Sequence, residues 1–160
     1  MKRFSAIVTL SAALAGCGKA DGELAPGMWN STMTMSKFEV PGAPPAMAAQ
    51  VKAMLGKEQK TSACMSPAQA RLGVREMSSS MQQGDCKMEN FTQGDGRMAG
   101  TMVCTGTSGF GAPRMTMTGT YSPEKVTMTL AGEASDSRLP GGKANLELTI
   151  SSERTGDCKS

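Results

Sequence analysis

Cys86-Lys87-Met88-Glu89-Asn90-Phe91-Thr92-Gln93-Gly94-Asp95-Gly96-Arg97-Met98-Ala99-Gly100-Thr101-Met102-Val103-Cys104 reads as two extended segments around a glycine-flanked aspartate. Gly94-Asp95-Gly96 is a turn signal between alternating runs, so the stretch predicts a β-hairpin. If the turn centres on Asp95, Cys86 and Cys104 lie nine residues to either side and face each other. Directly opposed residues of an antiparallel pair sit about 4.5–5.5 Å apart at Cα, within reach of a disulfide. Met88 and Met102 lie seven residues to either side and share that face. Bridge and apolar pattern therefore agree on one register.

The same alternation runs outward in both directions. From Pro113 to Tyr121, Met115 and Met117 take one parity while Thr116, Thr118 and Thr120 take the other. Ser122-Pro123-Glu124-Lys125 turns into Val126-Thr127-Met128-Thr129-Leu130, and Leu139-Pro140-Gly141-Gly142 turns into Leu146-Glu147-Leu148-Thr149-Ile150. Upstream, Met28 to Phe38 sets Trp29, Met33 and Met35 against Asn30, Thr32, Thr34 and Ser36, and Gln59 to Met65 is a shorter strand carrying Cys64. Period-two alternation with β-branched threonine on the wet side describes half-buried strands, and short Gly/Pro turns join them as an antiparallel meander.

Helical signals interrupt the strands twice. Pro45 suits a first helical turn, and Met47, Val51, Met54 and Leu55 follow at helical spacing until Gly56. Ser66-Pro67-Ala68-Gln69 is a capping box that predicts a single turn ending at Gly73; Arg75 to Gly84 has no period and reads as a loop. The expected fold is α+β and mostly β: a meander sheet of about six to seven strands, one amphipathic helix and a short helical turn, bridged by disulfides.

At the start of the chain, Lys2 and Arg3 precede an eleven-residue run from Phe4 to Leu14 broken only by Ser and Thr. At about 1.5 Å per residue this run is too short to cross a bilayer core of about 30 Å, so it reads as a signal h-region. Leu14-Ala15-Gly16-Cys17 resembles a bacterial lipobox. It implies removal of residues 1–16, acylation of Cys17 by more than one chain and a lipidated tether over 17–26, leaving one domain over 27–160. Gly18, in place of Asp, favours the outer membrane over the inner by analogy with lipoprotein sorting.

With Cys17 acylated, Cys64, Cys86, Cys104 and Cys158 remain, an even count in an exported domain. The hairpin assigns Cys86 to Cys104, and Cys64 to Cys158 follows by elimination. A redox-active role has little support, since there is no Cys-x-x-Cys and no histidine.

Composition narrows the function classes. Residues 1–16 hold two basic and no acidic side chains, so 15 basic face 14 acidic residues in the remaining 144. No basic block or aromatic-basic interleaving points to nucleic acid. Six aromatics against fifteen Met mean that methionine carries core volume.

Pro26-Gly27-Met28-Trp29, Cys64-Met65-Ser66-Pro67, two later cysteines and a closing Gly156-Asp157-Cys158 resemble an exported bacterial lipoprotein family known as domain of unknown function 3617. The resemblance spans essentially the whole chain after residue 16. Asn30 stands where that pattern expects an acidic residue, and the Ser-rich loop 77–85 matches nothing in it. The family has no assigned activity, so the resemblance implies compartment and fold more than function.

Catalysis is not expected. Without histidine there is no Ser–His or Cys–His pair, and the carboxylates are dispersed: Asp85, Glu89 and Asp95 around one hairpin, Asp136, Glu147, Glu153 and Asp157 elsewhere. Two binding chemistries remain, and no cofactor is called for. Met33, Met35, Met115 and Met117 form Met-x-Met pairs whose thioethers are candidate Cu(I) ligands, against the simpler reading that they fill a core. A curved sheet with one helix would also leave a methionine-lined concavity suited to an acyl chain or peptide. The reading from sequence is therefore a non-catalytic outer-membrane lipoprotein. It meets the membrane through Cys17 and acts as a binding or interaction module for an envelope protein or hydrophobic ligand.

Overall fold

Seven strands form one antiparallel sheet in a computed structural model that describes residues 22–46, 49–50, 53, 57–80, 86–105, 113–135, 137 and 139–159. They are β1 (Gly27–Glu39), β2 (Gln59–Met65), β3 (Cys86–Gly94), β4 (Arg97–Cys104), β5 (Arg114–Ser122), β6 (Lys125–Ser135) and β7 (Lys143–Gly156). Helix α1 (Pro67–Ser80) lies between β2 and β3, and a 3-10 turn (Pro140–Gly142) leads into β7. The spatial order is β2-β1-β7-β6-β5-β4-β3, so the last five strands make the expected meander. Strand β1 pairs with the far side of β7 and leaves β2 and β3 as the two edges.

The alternation in the sequence becomes two chemically distinct faces. Met98, Met115, Met117, Val126, Met128, Leu130, Ala134, Ala144 and Leu146 are buried on one side. Thr116, Thr118 and Thr120 stand exposed on the other, where Thr118 faces Thr129 and Thr120 faces Thr127 of β6 in the ladder. A two-residue period needs no more than this to make a sheet amphipathic.

The hairpin register is right where the cysteines are and shifted at the tip. Gly94 pairs with Arg97, so the turn is the two residues Asp95 and Gly96, with φ of 51° and 71°. Both angles are positive, as a type I′ turn requires. That turn alone would bring Cys86 opposite residue 105. A bulge between Glu89 and Thr92, with Asn90 at φ 52°, restores the register, and Met88 meets Met102 and Cys86 meets Cys104. The bulge corrects the slip that would otherwise turn the cysteine to the wrong face.

Helix α1 exceeds its expectation. The capping box forms as read: the Ser66 N–H donates to Gln69 Oε1 at 2.9 Å, and the Gln69 N–H donates to Ser66 Oγ at 3.3 Å. The first segment does stop at Gly73, whose φ is 59°. The chain then resumes a helix to Ser80, where a loop was expected over 75–84. Val74 and Met77, three apart, pack this second segment onto the core, with Val74 1% exposed. The helix expected over 45–56, with Met47, Val51, Met54 and Leu55, lies at positions largely outside the described residues. Among the described residues no helix is long and apolar enough to cross a membrane.

The stretch expected as a tether is partly built into the fold. Leu24 and Ala25 are buried. The Leu24 N–H donates to Ala70 O, the Ala25 N–H to Pro123 O, and the Val74 N–H to Gly22 O. Among the described residues, contact with the body therefore extends upstream of Gly27 to Gly22. Gly73 permits this: its backbone is left-handed, and a Cβ there would fall 1.8 Å from Gly22 O.

Candidate functional site

The three stretches carrying the family-like motifs meet at one corner of the sheet. Gly27 pairs with Met65 and Met28 with Cys64 on one side, and Met28 pairs with Gly156 on the other. The Cys64–Cys158 disulfide closes the corner with a Cα separation of 5.5 Å. Arg154 gathers its remaining threads: Nε donates to Pro26 O at 2.7 Å, the guanidinium bonds Asp157, and the Arg154 N–H donates to Glu124 O. Trp29 Nε1 donates to Ala25 O at 3.0 Å, so the indole is pinned while its ring faces inward. Residues that look isolated in sequence are one hydrogen-bonded assembly.

Beside this corner a cleft of about 220 Å³ opens between α1 and the β1–β2 end of the sheet. Trp29, Ser31, Ala63 and Ser152 form its floor, Cys64 and Met65 a wall, and Gln69, Gly73, Glu76 and Met77 its helical side. The capping box spends the Gln69 carbonyl oxygen on the Ser66 N–H. Ser31 Oγ and Ser152 Oγ are 2.7 Å apart, and Ser152 is only 1% exposed. Whichever hydroxyl accepts keeps its own proton as a donor beside the cleft. Glu76 is the only charged residue among the described residues lining it. The site is thus apolar with a hydroxyl pair on the floor and one carboxylate near the helix.

The sequence-predicted residues are only partly brought together. Cys86–Cys104 and Cys64–Cys158 are both bridged, the first with Cα atoms 3.9 Å apart, closer than the about 4.5 Å of an ordinary non-bonded pair. The proposed acylation position Cys17 lies outside the described residues. Met33 and Met35 sit half-buried on β1, whereas Met115 and Met117 are buried on β5. All four share the apolar face, but β7 and β6 intervene. Three strand spacings separate the pairs by about 14 Å, too far for a single metal ion. The carboxylates take structural partners: Glu89 lies 3.6 Å from Arg114, Glu147 accepts from Ser36, and Asp157 pairs with Arg154.

Sequence reading missed the cleft because its residues come from segments up to 123 positions apart, from Trp29 to Ser152. One signal was present. Ser152 continues the inward parity of Leu146, Leu148 and Ile150, a polar residue at a core position.

Comparison with known proteins gives a family and no further relative. A family model described as a protein of unknown function, DUF3617, matches residues 24–158. No curated protein and no solved structure matches the chain. The matched span begins at buried Leu24 in the N-terminal arm and ends at Cys158, thereby enclosing all seven strands, α1 and both disulfides. The chain accordingly belongs to the DUF3617 family.

Proposed function

We propose that this chain is a non-catalytic, lipid-anchored protein of the bacterial envelope, held in the outer membrane through acylated Cys17, that binds the apolar end of a neutral or cationic ligand. The observation that carries the binding reading is the cleft between α1 and the sheet, apolar except for the Ser31–Ser152 pair, Gln69 and Glu76. At about 220 Å³ it is smaller than the about 300–1,000 Å³ of a pocket that takes a whole drug-sized molecule. It suits an alkyl chain end or one apolar side chain, with Met65 and Met77 adjusting to its shape. A carboxylate head group would meet Glu76, so fatty acids are disfavoured against amines and glycosides. Two sequence features support the compartment: the lipobox Leu14-Ala15-Gly16-Cys17, and four further cysteines, all bridged.

Trp29 is the chain's single tryptophan and forms part of the cleft floor, so its fluorescence reports occupancy directly. Alkyl amines, alkyl glycosides and fatty acids of matched length provide the test series. Amines and glycosides should give saturable changes, tightening about four-fold per added methylene until the cleft is full, since each buried CH₂ is worth about 0.8 kcal/mol. Ala63→Phe, which places a ring in the cleft from edge strand β2, should abolish the response. Absence of saturation with every head group would contradict the proposal.

A further inference from the structure

Met88, Met102 and Met115 are directly opposed neighbours on β3, β4 and β5: Met88 pairs with Met102, and Met102 with Met115. The three occupy one row of the apolar face. Side chains so placed have Cβ atoms about 4.5–5.5 Å apart, within reach of one another for a side chain as long and unbranched as methionine. Gly100 leaves a gap beside the row, and the Met88 sulfur lies 3.0 Å from the point a Cβ at that position would take. Met117 faces Gly100 from β5. Met88 and Met102 are half-buried and open the row to solvent, while Met115, 3% exposed, closes it from within.

We infer that Met88, Met102 and Met115 form a three-thioether binding site for a soft monovalent metal ion, Cu(I) above all. Thioethers are soft, neutral ligands, and a neutral set favours an ion of low charge. The register puts no Asp or Glu on this face of β3, β4 or β5, so nothing there would compensate a divalent ion. The chain contains no histidine, and Cys64, Cys86, Cys104 and Cys158 are consumed as disulfides. Thioether sulfur is therefore the soft donor this domain has to offer. The site is distinct from the α1 cleft and independent of what that cleft binds. It also differs from the Met33, Met35, Met115 and Met117 set, which the sheet separates.

The test is anaerobic Cu(I) titration of the disulfide-intact protein against a chromophoric Cu(I) chelator. One equivalent should bind at micromolar affinity or tighter, with only sulfur neighbours in the X-ray absorption spectrum. Met88→Leu with Met102→Leu should weaken binding at least ten-fold, and Met33→Leu with Met35→Leu should leave it unchanged. Ag(I) added to the unaltered chain gives a second readout that needs no substitution: the Met88, Met102 and Met115 methyl resonances should shift while those of Met33 and Met35 stay in place. Failure to bind one equivalent, nitrogen or oxygen neighbours, or shifts spread over all methionines would overturn the assignment.

Discussion

Gly73 connects three features that the sequence displays separately: the end of a capped turn, the N-terminal arm and the cleft. Its φ of 59° ends the first segment of α1, and the absence of a side chain lets Gly22 O approach the Val74 N–H. Gly73→Ala should cost at least about 1–3 kcal/mol for the left-handed backbone, before the clash with Gly22 is counted. Denaturant unfolding measures that loss, and faster amide exchange at Val74 would locate it in the arm. An unchanged midpoint would mean that the arm is not docked here. As a helix stop this glycine was legible, because Gly is the usual residue at such a position. Its second role was not, since nothing local in Gly22 to Pro26 announces that the stretch will be buried.

At the scale of elements, the two disulfides hold the sheet's two edges. Cys86–Cys104 ties edge strand β3 to β4, and Cys64–Cys158 ties edge strand β2 to the chain beyond β7. Edge strands expose unpaired backbone groups and are the part of a sheet most exposed to fraying or mispairing. The sequence separations are 18 and 94, so chain-entropy bookkeeping assigns about 3 and about 4.7 kcal/mol. Paired alanine substitutions should therefore cost about 1–2 kcal/mol more at Cys64 and Cys158 than at Cys86 and Cys104. Equal losses in denaturant unfolding would show that the long loop is already constrained in the unfolded chain. Strand identity was legible here because methionine and threonine alternate so regularly from Arg114 to Leu130. The hairpin pairing was legible for a less secure reason: a two-residue turn and a one-residue bulge displace the register in opposite senses and cancel at the cysteines. The second half of α1 was missed although Val74 and Met77 carry its spacing, because a glycine with reversed backbone stands before it.

For the whole molecule, the apolar face divides between a helix-covered cleft at the β1–β2 end and a methionine row at the β3–β5 end, while the opposite face carries hydroxyls and ion pairs. Charge gives this body little hold on a membrane, with 15 basic and 14 acidic residues after residue 16. In the proposed function, attachment therefore falls to lipid on Cys17 and recognition to the cleft. Native mass spectrometry of the protein, expressed with residues 1–16 in a bacterial host and extracted from the membrane in mild detergent, examines both parts of the proposal in one measurement. The predicted mass is that of a chain beginning at Cys17, carrying diacylglycerol and acyl additions, with a non-covalent adduct that Ala63→Phe removes. An unacylated chain retaining residues 1–16, or one with no adduct, would contradict the account.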